Sequence, residues 1–370
     1  MRRTADAIGG MPDLPGMRLG EMRVTEGGRA ERRKGGKLGQ LPLPLEGPPR
    51  ALPVLDERER GTRFLALPVR RVLNPPATTH MPFWSINPYV GCEFGCSYCY
   101  ARKTHEWTME RTEGRKDGRT EGESPTTDHD LPSFRLSAFA SFEHDILVKS
   151  GAPEVLLRTL DPSLIGGRTV VIGTATDPYQ PAERRFLLTR RLLEALLRHR
   201  GLSLGLITKS PLVTRDLDLF TRLAERHKLS INISLASTDA LLLRRLEVRS
   251  PAPHARLRAL ERLTRAGIIA GLMVAPILPG ITDGWPSLAA LMEAAREAGA
   301  HFVHGAPLRL GPAARAGFLP VLKREFPDLV ARYERRYGAA NHAGKDYERA
   351  LQRRLRSLRA AFGFAERDMP

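Results

Sequence analysis

Three cysteines stand within eight positions of a 370-residue chain, in Gly91-Cys92-Glu93-Phe94-Gly95-Cys96-Ser97-Tyr98-Cys99-Tyr100, and the chain has no other. A disulfide would leave one thiol over. Three thiolates this close, on a loop that Gly91 and Gly95 allow to fold back, are ligands for one metal centre. Structural zinc takes four closed ligands, so a zinc site here would use Cys92, Cys96, Cys99 and a histidine such as His105, at a spacing that fits no common finger. A cuboidal iron–sulfur cluster on three thiolates instead keeps one iron open to bind a further molecule. The loop favours the cluster, with zinc as the alternative.

Something must hold that loop, and the rest of the chain alternates strand with helix. Apolar β-rich runs occur at Phe83–Val90, Thr169–Gly173, Leu202–Thr208, Leu229–Leu235, Gly267–Ala275 and His301–Leu308, between helical segments at Arg184–Arg200, Asp216–Lys228, Ala255–Ala266 and Leu288–Gly299. Near-continuous apolar strands predict a parallel sheet covered on both faces, and repeated β-α units curl it. The fold class is therefore α/β, a partial (β/α)6 TIM-like barrel with too few units to close an eight-stranded one. Phe83–Val90 feeds the cysteine loop at its carboxyl end, where such folds place ligands.

The domain reading follows from composition. Residues 1–58 are rich in Gly, Pro and Arg and read as a disordered basic arm. Residues 59–310 form the barrel, with Arg60-Gly61-Thr62-Arg63-Phe64 as a lead-in along it. Met109–Ser133, with its near-echo of Arg-Thr-Glu-Gly, reads as a low-complexity, disordered insertion. Ile146-Leu147-Val148 is a short extended run and Pro153–Leu160 a helix. Residues 311–370 are a helical extension in which Phe318–Phe326 and Tyr347–Phe362 are amphipathic and pack on the barrel's side.

Positions just beyond the strands are the ones to search. Gly173, Thr174 and Thr176 follow the second strand, where small residues free backbone carbonyls to meet an ammonium group. Lys209 follows the third and would face a carboxylate or pair with Asp177 or Glu183. Asn232, Ser234, Ser237 and Thr238 offer polar groups to a ligand, or cap turns. Ala275-Pro276 through Asp283 is an apolar, stiff platform or a simple chain reversal. Arg309 would contact a phosphate or anchor the last helices.

The C-x3-C-x2-C spacing with Tyr98 directly before the last cysteine resembles the cluster loop of radical S-adenosylmethionine (SAM) enzymes. Thr104-His105-Glu106, Thr176-Asp177-Pro178-Tyr179-Gln180-Pro181, Thr208-Lys209-Ser210 and Arg215-Asp216 are similar to a photolyase-like bacterial family related to spore photoproduct lyase, over roughly residues 60 to 335. The resemblance implies a [4Fe-4S] cluster on Cys92, Cys96 and Cys99, SAM chelated at its open iron, and a 5′-deoxyadenosyl radical formed with an electron from an external one-electron reductant. It implies SAM contacts from Tyr98, Gly173, Thr174, Thr176, Lys209, Ser234 and, under the adenine ring, Pro276. It also suggests Tyr98 and Tyr100 as hydrogen-transfer partners. The chain departs from the pattern in four places: it lacks the superfamily's Gly-Gly-Glu segment, it has Leu246-Glu247-Val248 where the family tends to have Leu-Glu-Pro, it carries the unusual Met109–Ser133 insertion, and no cysteine is left to donate hydrogen. Thymine-dimer reversal would need another donor.

A formal charge of +17, from 58 basic and 41 acidic residues, points to an anionic partner, nucleic acid first, or to compositional bias. The sequence has no apolar run near the length of a membrane span, and the expected location is the cytoplasm. The expectation is a radical SAM enzyme whose substrate the sequence leaves open, a nucleic acid in a DNA-repair-lyase-like reaction being the leading reading. Its rivals are the same chemistry on a small molecule or peptide, and a zinc-stabilised nucleic-acid-binding protein without catalysis.

Overall fold

The computed structural model describes residues 54–57, 61–113 and 142–364. Their centre is a seven-stranded sheet in the order β11-β10-β9-β8-β7-β4-β3. Its strands are β3 (Leu73–Asn74), β4 (Trp84–Ile86), β7 (Thr169–Ile172), β8 (Ser203–Thr208), β9 (Lys228–Ser234), β10 (Ala270–Ile277) and β11 (Val303–Pro307). All neighbours pair in parallel except β3 with β4. Five of the six apolar runs read from the sequence each overlap one parallel strand, and the sixth, Phe83–Val90, supplies β4 from its first half.

Alternation along the strands gives the sheet two chemically different faces. Leu204, Leu206, Leu229, Ile231, Ile233, Ala270, Leu272 and Val274 point one way and join the main core. Helices Leu217–Ala224, Pro253–Arg265 and Trp285–Glu297 pack against these strands, and Lys345–Ala361 against β11 beside them. The opposite face carries Gly205, Ser230, Asn232, Ser234, Gly271 and Met273, in register from β8 across β9 to β10. Ile207 shares this face beside Asn232, and Phe302 packs over Gly271, where a Cβ would lie 2.4 Å from its ring.

Phe83–Val90 is not one strand. Pro88 has no N–H to donate and restrains Asn87 before it, so the chain leaves the large sheet after Ile86 and Tyr89–Val90 becomes β5 of a second sheet. That four-stranded sheet runs β1 (Val54–Glu57), β2 (Arg63–Ala66), β6 (Asp145–Val148), β5. The lead-in at Arg63-Phe64 is thus a paired strand, and β1 falls within the arm expected to be disordered. Helix Arg102–Glu113 likewise runs into the segment expected to be an insertion. The remainder of both segments lies outside the described residues.

Two helical expectations change. Arg184–Arg200 divides at Leu187, whose φ of 49° ends helix Glu183–Phe186 before Leu188–Leu196 begins. The C-terminal helices do not share one side of the sheet. Helix Pro312–Glu325 and helix Val330–Tyr337 bury Phe318, Leu322, Tyr333 and Tyr337 in a second core with Cys92, Phe94, Cys96, Tyr98 and Leu246, over the cysteine loop. Lys345–Ala361 covers edge strand β11. Among the described residues no helix is long and apolar enough to cross a membrane.

Candidate active site

The cysteine loop leaves β5 through Gly91, whose φ of 89° and close neighbours leave no space for a side chain: a Cβ there would stand 2.9 Å from the Phe142 carbonyl oxygen. Cys92 N donates to that oxygen (3.0 Å). The loop is then held from two sides. On one, the segment after β7 grips it: Thr176 Oγ1 (2.7 Å) and Gln180 Nε2 (3.2 Å) donate to Gly91 O, Glu93 N donates to Gln180 Oε1 (3.0 Å), and Ala182 N donates to Glu93 Oε2 (2.7 Å). Gly173 makes this approach possible, since a Cβ there would lie 2.5 Å from Ile207 O.

On the other side stands the segment after helix Ala240–Leu246. Cys96 bridges Glu247 in antiparallel fashion, Ser97 N (2.9 Å) and Oγ (3.0 Å) donate to Leu246 O, and Arg249 N donates to Phe94 O (3.1 Å). Ser250 Oγ lies 3.6 Å from Cys96 Sγ. Arg102, buried beside Phe142, reaches Cys96 O (3.3 Å) and pairs with Glu143.

Between these braces lies a buried charge cluster absent from the sequence reading. Glu247 accepts from Arg256, Lys209 and the Tyr98 hydroxyl, and Lys209 Nζ also donates to Tyr98 Oη (3.1 Å). Arg256 further donates to Ser234 O (3.0 Å) and Pro251 O (2.8 Å). Burial would raise the Glu247 pKa, but Lys209 and Arg256 hold it at about 2. Burial pushes Tyr98 well above the usual phenol range, and Glu247 beside it adds to the rise. Lys209 thus pairs with Glu247, not with Asp177 or Glu183. Asp177 takes its backbone N–H (2.7 Å) and the Thr208 hydroxyl (2.7 Å), while Glu183 binds Tyr89 (2.6 Å) and Arg215 (2.9 Å) deeper in the fold.

The remaining expected residues lie at the same end of the sheet. Thr174 Oγ1 accepts from Asn87 Nδ2 (3.2 Å), and Thr174 O accepts from Tyr100, which is 52% exposed and spans from the loop to the β7 end. Ser234 Oγ donates to Ala275 O (3.2 Å), just before Pro276 in an irregular stretch of β10. Asn232, fully buried on the polar face, has an Oδ1 without a hydrogen-bond partner among the described residues. Two cations sit here without a carboxylate among the described residues. Lys149 Nζ donates to Asn87 O (2.9 Å), and burial lowers its pKa to about 8. Arg309 is exposed and its charge is felt by Tyr100.

The donor set suits a metal centre. The three thiols are free, and burial pushes each up, Cys96 to about 11 against the pull of Lys209. A buried thiol ionises only against a cation, which a metal centre supplies. His105 is turned away from that role: its Nε2 meets Asp145 O (3.0 Å) and its ring stands edge-on to Phe142. Among the described residues no three His, Cys, Asp or Glu side chains converge on a single ion.

The profile of the Radical SAM superfamily matches residues 86–292, and the chain belongs to that superfamily. Uncharacterized proteins of Mycobacterium bovis and Mycobacterium tuberculosis are 33% identical over 307 residues, covering 82% of this chain and 82% of each relative. An uncharacterized protein of Methanocaldococcus jannaschii is 26% identical, covering 60% of this chain and 70% of its own length. In fold the chain is similar to a spore photoproduct lyase mutant with bound AdoMet and dinucleoside spore photoproduct (TM-score 0.55, 16% identity, 85% and 84% of the two chains). The superfamily carries radical chemistry, which sets aside the reading without catalysis.

Of the sequence-derived site residues, Cys92, Cys96, Cys99, Tyr98, Tyr100, Gly173, Thr174, Thr176, Lys209, Ser234 and Pro276 all fall at this end of the sheet. Glu247, Arg256, Gln180 and Asn87 were missed as site residues. Glu247 carried a signal, since it sits in the tripeptide that departs from the family pattern.

Proposed function

We propose that Cys92, Cys96 and Cys99 hold a [4Fe-4S] cluster with SAM beside it, in a partial (β/α)6 barrel, and that the enzyme acts on a nucleic acid. The observation that carries this is the loop pinned from both sides above a polar sheet face with an unpartnered buried Asn232 oxygen. Cluster and SAM together supply a 5′-deoxyadenosyl radical. The chain's own residues bind and orient. Gly173, Thr174 and Thr176 would offer backbone oxygens to the SAM amino group, and Lys209, paired with Glu247, would meet its carboxylate. Asn232 and Ser234 offer acceptors to the ribose, and Pro276 an apolar surface to adenine. Helices Pro312–Glu325 and Val330–Tyr337 exclude water above the loop.

A nucleic-acid substrate is favoured by Lys149, Arg309 and the half-exposed Tyr100 at one end of the sheet, two cations to suit phosphodiesters and a ring to suit a stacked base. It is also in keeping with the +17 charge and with the dinucleoside bound by the structurally similar lyase. Tyr98 is enclosed and hydrogen-bonded, so Tyr100 is the better placed tyrosine to meet substrate.

The test is anaerobic purification, iron and sulfide analysis, and dithionite-driven formation of 5′-deoxyadenosine from SAM. About four irons and four sulfides per chain are expected, with cleavage abolished and folding kept in Cys96→Ala. Zinc in place of iron, or cleavage retained by Cys96→Ala, would overturn the cluster assignment.

A further inference from the structure

The three thiols of the cysteine loop are not equivalent. Burial raises all three, and what opposes it differs: the Phe94 N–H at Cys92, the Ala101 N–H at Cys99, and at Cys96 the Lys209 ammonium followed by the Ser250 hydroxyl. Two sulfurs are thus served first by the main chain and one by side chains. Ser250 Oγ lies 3.6 Å from Cys96 Sγ, within reach of a hydrogen bond to sulfur.

The surrounding chain fixes that hydroxyl. Ser250 N donates to Glu247 O (3.2 Å), which closes a turn after helix Ala240–Leu246, and Arg249 N donates to Phe94 O (3.1 Å) inside the loop. Pro251 O accepts from Arg256 Nε (2.8 Å), and the same guanidinium pairs with Glu247. Ser250 is therefore flanked by a bond to the loop on one side and by the buried charge cluster on the other. It is 7% exposed, and among the described residues its hydroxyl has no hydrogen-bond partner other than Cys96 Sγ. A metal-bound thiolate has no proton to give, so with the centre in place Ser250 is the donor.

Donation to a ligand sulfur stabilises the reduced state more than the oxidised one, because reduction adds negative charge to the sulfurs. We propose that Ser250 is a positioning residue that acts through Cys96 and raises the potential at which the centre on the cysteine loop takes up an electron. This deepens the cluster reading above and rests on it. The electron comes from the external one-electron reductant, no bond breaks, and the proton stays on Ser250 Oγ throughout.

The experiment is a potentiometric titration followed by electron paramagnetic resonance on the anaerobic holoprotein without SAM, with iron and sulfide counted on the same samples. Ser250→Ala should keep the wild-type iron and sulfide and titrate at a lower potential. At the wild-type midpoint its reduced-to-oxidised ratio should be about tenfold smaller, a shift of about 59 mV. Ser250→Thr keeps a hydroxyl and should titrate close to the wild type. Ser97→Ala removes a second buried hydroxyl from the same junction, one that donates to Leu246 O (3.0 Å) and not to a sulfur, and should leave the midpoint in place. An unshifted midpoint in Ser250→Ala, a shift that Ser250→Thr does not reverse, or an equal shift in Ser97→Ala would overturn the assignment. So would loss of iron from Ser250→Ala, which would tie the residue to assembly of the centre and not to its potential. Failure of the cluster reading would show separately in the wild type, as zinc or absent iron and no reduced signal to titrate.

Discussion

At the scale of single residues, Lys149 is the group whose behaviour follows most directly from its surroundings. Its ammonium is half-buried against the Asn87 carbonyl with no carboxylate partner among the described residues, and its pKa drops to about 8 from the ordinary 10.5. Between those two values the unfolded chain binds the proton and the folded chain does not, so this group's contribution to stability rises with pH across that window. Its contribution to ligand binding runs the other way. An anion held by Lys149 should bind about tenfold more weakly once pH passes 8, and Lys149→Arg should remove that inflection from a titration of oligonucleotide affinity. An unchanged inflection would assign it to another group. The cysteines could be read in the sequence because three ligands lie on one loop. Glu247 could not be read as their neighbour, since its partner Tyr98 is 149 positions away. Only the folded sheet brings them together.

At the scale of elements, the parallel strands were legible because each keeps one apolar face turned to the main core. The second sheet was not, because β1, β2, β5 and β6 are four residues or fewer and carry no period. Helix Ala240–Leu246 escaped for a related reason: at seven residues it is short, and its exposed Leu241 blurs the apolar stripe. Yet this element and the turn after it form half of the site's frame. Glu247→Gln would leave Arg256 and Lys209 without their counter-charge in a buried setting, and a loss of about 3 kcal/mol is expected, read as a lower urea midpoint. Glu247→Asp, which keeps the charge, should recover part of it. The sign in pH is fixed by the shift: a carboxylate held at about 2 rather than 4.5 lends stability that is full above pH 4.5 and lost as pH falls toward 2. A Glu247→Gln protein with the wild-type acid limb and midpoint would show that the triad only fills space.

At the scale of the whole molecule, net charge alone says nothing about where an anion goes, because cations occur on several faces. Helix Lys345–Ala361 exposes Arg349, Arg353 and Arg356 above edge strand β11, remote in the fold order from the cysteine loop, whereas Lys149 and Arg309 stand at the strand ends. If charge acts diffusely, removing either pair should weaken nucleic-acid binding alike. If phosphates sit at the mouth, the pairs differ in kind, because each phosphate contact releases condensed counterions. The dependence of log affinity for single-stranded oligonucleotide on log salt should then flatten by about 1.4 in K149A/R309A, and stay unchanged in R353A/R356A. The opposite pattern would move the phosphates to the C-terminal helix and detach nucleic-acid binding from the radical site, because a substrate held along β11 would not present its base to the end of the sheet where Tyr100 and the cysteine loop stand.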